Sequence, residues 1–362
     1  MAPALSRLPI IGRRQFATLA AGLVTGCAAG NAMPATGFTF TPPELAETLA
    51  TSHRDPPRAA IIRAADRSAS RPPRPMQRIH TEGTLPHQGI YDESLDAMRD
   101  MPTMRDLAIA GRITGDRRYT EAAARYAGAW AATYTPSFNP IDETGFDGLF
   151  LAWDLVPPAD RTPYAPAMTT LLHGYAAGYP RQTVRGSTAT NNWNSHRAKI
   201  ATLASFATGD AALIAQARTT FARQVDTNIN ADGLTLDFGL RDALHYVVYD
   251  LEPLLMAVLA ARRHGEDWYG AAGGKIGRAL NWLLPYAAGE KAHQEFVNST
   301  VRFDAARRNA GVKGFDGAFE PTVARSLYAM AARVDPAYRP LAQSLRRAVF
   351  DDAWLDVLWP LT

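Results

Sequence analysis

The chain has 362 residues, 38 of them Lys or Arg and 35 Asp or Glu, with a single cysteine. The first 27 residues hold three arginines and no acid, so residues 28–362 are balanced at 38 − 3 = 35 basic against 35 acidic residues. That balance removes the apparent basic character as an argument for nucleic-acid binding, no nucleic-acid motif occurs, and one cysteine excludes internal disulfides.

From the N-terminus, Arg13-Arg14 precedes Gln15-Phe16 and a weakly apolar run, Ala17 to Val24, that ends in Val24-Thr25-Gly26-Cys27. Paired arginines before a modest apolar run resemble a twin-arginine export signal, and the last four residues resemble a lipoprotein cleavage box. Residues 1–27 are therefore expected to be a signal, with Cys27 the lipidated residue; an ordinary secretory signal with an incidental cysteine is the alternative. The expectation is a periplasmic protein, tied to a membrane through an N-terminal lipid anchor alone. Residues 28–41, rich in Gly, Ala, Pro and Thr, read as a flexible tether. Residues 42–362 carry no second linker and are expected to form one domain.

Apolar residues recur at three- and four-residue intervals over 94–115, 116–134, 145–156, 164–179, 191–208, 211–228, 236–264, 274–286, 321–334 and 336–350. Gly115-Asp116, Pro157-Pro158, Gly209-Asp210, Asp232-Gly233 and Asp335-Pro336 supply stop and start signals between them. Strand-like alternation is scarce. The fold class expected is all-α: helical hairpins with short connections, closing into a ring of inner and outer helices, with an open solenoid as the alternative.

Two segments carry chemistry. Asn191-Asn192-Trp193-Asn194-Ser195-His196-Arg197 places Asn192 and His196 four apart, on one helical face. Arg241-Asp242-Ala243-Leu244-His245-Tyr246-Val247-Val248-Tyr249 does the same for Arg241, His245 and Tyr249, if the segment is one helix. Aligned polar rows in apolar helices need a shared cavity or water. Asn191 and Asn192 also suit a helix cap, and Tyr249 suits a core tyrosine with a satisfied hydroxyl. The histidines are dispersed, without a His-x-x-x-His pair or an Asp-rich calcium loop, so no metal or other cofactor is expected.

These motifs, with Phe138 to Phe146, Tyr249-Asp250-Leu251-Glu252-Pro253-Leu254 and His293-Gln294-Glu295-Phe296, resemble the alginate lyase superfamily of polysaccharide lyases from about residue 90 onward. The Asn-Asn-Trp-Asn-Ser-His-Arg form is most similar to polysaccharide lyase family thirty-eight, which contains glucuronan and alginate lyases. The resemblance implies an incomplete (α/α) toroid with a groove for an acidic polysaccharide. Such enzymes cleave by β-elimination: the C5 proton is removed, charge building on the carboxylate is stabilised, and the departing O4 is protonated. The resemblance makes Tyr249 the base and acid, with Tyr246 the fallback, His196 the histidine beside the reacting sugar, and Asn192 the amide that neutralises the carboxylate.

Two departures from the older alginate lyases matter. Ser195 stands where they have Asn before the His, which leaves the amide open among Asn191, Asn192 and Asn194. Asp242 stands where they have an arginine, so Arg241 or Arg197 would bind a carboxylate instead. His245, Tyr246 and Trp193 are further substrate-binding candidates. Trp130, Trp153, Tyr134 and Trp268 could stack on sugars, although most such residues belong to cores. His87, Gln88, Lys291, His293, Arg302 and Arg308 are the outer-subsite candidates. Two other classes stay open: a glycoside hydrolase using a pair from Asp237, Asp242, Asp250 and Glu252, and a lipoprotein that binds polyuronate without cleaving it.

Overall fold

The computed structural model describes residues 37–50, 55–346 and 352–361, which belong to one packed unit. The expected signal, Cys27 and the tether up to residue 36 lie outside the described residues. Residues 37–41 are not tether. Phe40 is fully buried, and the backbone N–H groups of Thr39, Phe40 and Thr41 all donate to the Asp154 carboxylate at 2.7–2.9 Å. Composition misplaced the boundary because a buried carboxylate more than a hundred residues away supplies the hydrogen bonds that a Gly/Thr-rich segment otherwise takes from water.

The described chain is helical without a named strand; two isolated bridges join Ile229 to Thr235 and Gln294 to Ala318. Its helices are α1 (Pro43–Thr48), α2 (Pro56–Asp66), α3 (Tyr91–Met98), α4 (Asp100–Thr114), α5 (Arg117–Thr133), α6 (Asp147–Leu155), α7 (Pro158–Arg161) and α8 (Ala165–Arg181). Next come α9 (Asn192–Thr208), α10 (Ala211–Asn228), α11 (Leu236–Arg241), α12 (Leu244–Arg263), α13 (Ala271–Ala287), α14 (Arg302–Asn309), α15 (Arg325–Val334), α16 (Arg339–Leu345) and α17 (Ala353–Leu358). The Gly-Asp signals act as the sequence suggests. Gly115 and Gly209 close α4 and α9 in the left-handed region, and the side chains of Asp116 and Asp210 cap α5 and α10.

One expected helix is two. The segment 236–264 breaks at Asp242, whose φ of 51° ends α11 before α12 begins. α12 also carries Pro253 in its interior. The short helices α1, α2, α14 and α17 were not evident from spacing, being six to eleven residues long with mixed composition.

α4 packs against α5 and α6, α9 against α8, α10 and α12, and α12 against α15, while α17 lies on α2 and so brings the last helix to the first of the long packed series. α9 and α12 are buried over nearly their whole length, whereas α5 and α10 keep one exposed face. Paired inner and outer helices of this kind make an (α/α) toroid. Close approach of α6 to α4 depends on Gly148, where a Cβ would come within 2.6 Å of the Met101 carbonyl oxygen.

Asp154→Ala strips three backbone donors of their acceptor and is expected to cost about 1–3 kcal/mol. Chemical denaturation would measure that loss, and limited proteolysis should then cut within 37–41.

Candidate active site

α9 enters the middle of the toroid, so each of its polar side chains must find a partner inside the protein. Asn191 caps it, its side chain accepting from the Trp193 N–H at 3.1 Å. Asn192 donates from its backbone N–H and from Nδ2 to the two Asp237 oxygens, at 2.6 and 2.5 Å. Asn194 Nδ2 donates to Gln224 Oε1 at 2.6 Å and its Oδ1 accepts from Arg197 Nη1 at 2.7 Å. The Ser195 hydroxyl donates to Asp250 at 2.6 Å, and Asn228 Nδ2 holds the other Asp250 oxygen at 2.6 Å. Lys199 Nζ donates to Asp147 and to the Thr144 carbonyl, both at 2.7 Å.

His196 is less fully matched. Its Nδ1 lies 2.6 Å from Thr144 Oγ1, but its buried Nε2 has no hydrogen-bond partner. Burial, reinforced by Lys199, pushes its pKa well below the usual imidazole value, so the ring is neutral at rest.

α12 presents His245, Tyr246, Tyr249 and Glu252 to a cleft of about 830 Å³. Glu82 from the α2–α3 connection, Glu295, Arg307 on α14 and Lys313 line it as well. Behind the α12 wall lies a second cavity of about 270 Å³, lined by His196, Lys199, Asp147 and Arg105 among others. Tyr249 and Glu252 line both cavities. The Tyr249 ring lies 4.2 Å from the His196 ring, centroid to centroid, and 6.1 Å from that of Tyr246. Arg307 Nη1 donates to the Tyr246 hydroxyl at 3.0 Å, and the Arg241 guanidinium sits 3.9 Å above the Tyr246 ring.

Burial dominates the electrostatics. It raises both tyrosines, Tyr249 far above its ordinary value with Tyr246 and Glu252 adding to the effect, so Tyr249 rests as a phenol. Arg241 and Arg307 oppose the rise at Tyr246. His245 is pushed down to about 4, by burial and then by Arg241 and Arg307, and is neutral across the ordinary working range. Glu252 and Glu295 are each pushed up to about 7 by burial.

The structure thus joins His196, Tyr249, Tyr246 and His245, and corrects the rest of the expected set. The break at Asp242 destroys the row Arg241–His245–Tyr249. Arg241 pairs with Asp304 and, at 3.7 Å, with Asp237, and touches the site through the Tyr246 ring. Asn194 and Arg197 face a different cavity, shared with Tyr179 and Arg223, because they leave α9 on another side from His196. Asn191 is a cap, Asn192 is held by Asp237, and neither they nor Trp193 line the cleft. Trp130, Trp153, Tyr134 and Trp268 are core residues. None of His87, Gln88, Lys291, His293, Arg302 and Arg308 lines the cleft; its cations are Arg307 and Lys313. Of the four carboxylates that a hydrolase would draw on, Asp237 and Asp250 are buried in networks, Asp242 holds Asn298, and Glu252 alone reaches the cleft.

Sequence reasoning missed Arg307, Glu82 and Lys313 and gave Glu295 no role of its own. Arg307 sits one turn after Asp304, with which it pairs at 3.9 Å, in a helix too short to announce itself. A Phe303–Arg307 i, i+4 pair was the available signal.

A helical toroid whose cleft sets tyrosines, a neutral histidine and cations together defines a polysaccharide lyase of the (α/α) class. The chain belongs to the alginate lyase family, whose model matches residues 48–293. No curated protein sequence matches. Among solved structures it is similar to an alginate lyase from Bacteroides ovatus, with 16% identity, a TM-score of 0.64 and 88% of this chain and 97% of that one covered. Alginate lyase A1-III from Sphingomonas species A1 is similar at 18% identity and a TM-score of 0.52, over 79% of this chain and 86% of that one. A tyrosine-to-phenylalanine variant of A1-III, complexed with tetrasaccharide, aligns at 19% identity and a TM-score of 0.52, over 80% and 86%.

Arg241→Ala leaves Asp237 without its cation and Asp304 with only the longer 3.9 Å pairing to Arg307, the two side chains being 0% and 1% exposed. The expected outcome is a loss of about 3–5 kcal/mol in denaturation, a structural effect. Arg307→Ala is expected to raise KM instead, with a much smaller change in melting temperature.

Proposed function

We propose that this chain cleaves a β-1,4-linked polyuronate, glucuronan or mannuronate-rich alginate, by β-elimination, within the family-thirty-eight group of lyases. The observation that carries the reading is the position of Tyr249: it lines the cleft, stands against His196 and sits among groups whose charges burial has suppressed. In this scheme the Tyr249 phenol first gives its proton to the neutral imidazole of His196 beside it; the phenolate takes the C5 proton, the C5–H electron pair forms the C4=C5 double bond, the C4–O4 bond breaks, and the same phenol returns its proton to O4. The oxygen leaves as a hydroxyl, the other fragment carries a 4,5-unsaturated uronate, and the phenolate is regenerated. C5–H and O4 lie on one face of glucuronate and mannuronate, so one group can reach both.

A second assignment is favoured by the resting protonation states. His196 is neutral with an unpartnered Nε2, and Tyr249 is a phenol. Imidazole as base and phenol as acid would serve a sugar with C5–H and O4 on opposite faces, as in guluronate.

Purified full-length protein, assayed on polyglucuronate, polymannuronate and polyguluronate by ultraviolet absorbance of the unsaturated end, tests both. Glucuronate or mannuronate polymers should be cleaved well before polyguluronate, and Tyr249→Phe should lose at least about a thousandfold in turnover while folding normally. Tyr246→Phe retaining most turnover would support the choice of tyrosine; the reverse pattern would move the role to Tyr246. Polyguluronate as best substrate would favour the histidine-base scheme, and reducing ends without absorbance would make the protein a hydrolase.

We also propose export through the Arg13-Arg14 signal and lipidation at Cys27. Cys27→Ser should move the protein from the membrane fraction to the soluble periplasmic fraction. Wild-type protein already soluble there would remove the anchor.

A further inference from the structure

Glu252 is a carboxyl group at the junction of the two cavities, one helical turn beyond Tyr249, and it makes no hydrogen bond or ion pair with any described residue. The groups around it come from several elements. His196 and Lys199 on α9, Asp147 on α6, Arg105 on α4 and Asp352 before α17 line the smaller cavity with it, and Arg325 of α15 acts on it electrostatically. Lys199 is already held by Asp147 and the Thr144 carbonyl. An ionised Glu252 would repel a polyanion at the place where the chain must be cut. The amide expected to receive the reacting carboxylate is turned away, since Asn192 donates to Asp237.

We infer that Glu252 is a substrate-contacting residue that receives a uronate carboxylate beside Tyr249 as a neutral acid, its O–H donating to the carboxylate oxygen; this rests on the polyuronate reading above. Two carboxyl groups at hydrogen-bond distance cannot both ionise, so the pair shares one proton and holds it more tightly than either group alone. Burial prepares the state, because it already raises Glu252 to about 7 in the empty cleft. Binding makes and breaks no bond of the sugar; where free Glu252 is ionised, the one covalent change is its protonation from solvent. During elimination the same proton lies where negative charge builds on the carboxyl group, and it remains with Glu252 when the product leaves. A hydroxyl partner would accept from Glu252 as well, but would not draw in a proton.

The test is calorimetric binding of β-1,4-linked glucuronate and mannuronate tetrasaccharides to the Tyr249→Phe protein, which separates binding from turnover. Above about pH 7 affinity should fall toward tenfold per pH unit, with uptake of about one proton per tetrasaccharide, read from buffers of different ionisation enthalpy. The sign follows from the free form losing its proton there while the bound form keeps it. Glu252→Gln added to Tyr249→Phe keeps a donor but cannot titrate, so affinity should become flat and proton uptake vanish. Glu295→Gln in the same background should leave slope and uptake in place, although Glu295 also lines the cleft. A flat profile in Tyr249→Phe alone, a slope surviving Glu252→Gln, or a slope abolished by Glu295→Gln would each overturn the assignment. If the tetrasaccharides do not bind at all and the wild-type protein forms no unsaturated ends, the polyuronate reading itself fails.

Discussion

The constraint on which this molecule turns is the burial of α9. A helix enclosed by α6, α8, α10 and α12 cannot leave polar groups to solvent, yet it carries Asn192, Asn194, Ser195, His196, Arg197 and Lys199 in eight residues. Four of these are held by other elements, through Asp237, Gln224, Asp250 and Asp147, while Arg197 places Nη1 on Asn194 of the same helix and on the Thr188 carbonyl. These pairings fix α9 in rotation and translation against its neighbours. Among the groups left over, with Arg197 Nε and the Thr202 and Ser205 hydroxyls, is one imidazole nitrogen, held next to Tyr249. A buried group without a partner costs free energy that the packing around it must offset, and such exceptions concentrate where function needs them.

The same burial sets the chemistry. An enzyme acting on a polyanion gains little from a wall of ionised acids, and desolvation weakens that charge at three of the five carboxyl groups that line the cleft. Glu82, Glu252 and Glu295 all line it, and burial is the largest influence on each, raising all three. Arg307 then supplies charge where it is wanted, braced by Asp304 and by the rings of Phe303 and Phe315. The toroid contributes the enclosure that makes these shifts possible.

Much of the fold was legible in the sequence because helical spacing and Gly-Asp punctuation are local signals, and α4, α5, α9 and α10 end within a few residues of where they point. That His196 and Tyr249 belong to one polar cluster was legible through their motifs. The remaining site residues depended on partners distant in sequence. Asn192 could not be known to face Asp237, 45 positions away, nor Arg241 to be tied to Asp304, 63 positions away. The direction of Arg197 depended on which neighbour covers which side of α9. Asp242 carried no unambiguous break signal, because Asp is not a residue that demands the left-handed region, although it tolerates it. Arg307 lay in a stretch without apolar rhythm.

Pro253 has a consequence for the histidine. In α12 the residue at 253 would ordinarily donate its backbone N–H to the carbonyl of residue 249, but proline has none. The Tyr249 carbonyl is thereby released from the helical ladder, and it is this carbonyl that opposes the depression of the His196 pKa. A defect in one helix therefore exposes the negative end of a peptide dipole to the imidazole on another. Tyr249 acts on His196 twice over, by ring contact and by the pull of its carbonyl, which falls short of a hydrogen bond with Nε2, and the main-chain contribution survives any substitution of the side chain. The tyrosine position thus tunes the proton affinity of its neighbour through an atom that no point mutation at 249 can delete.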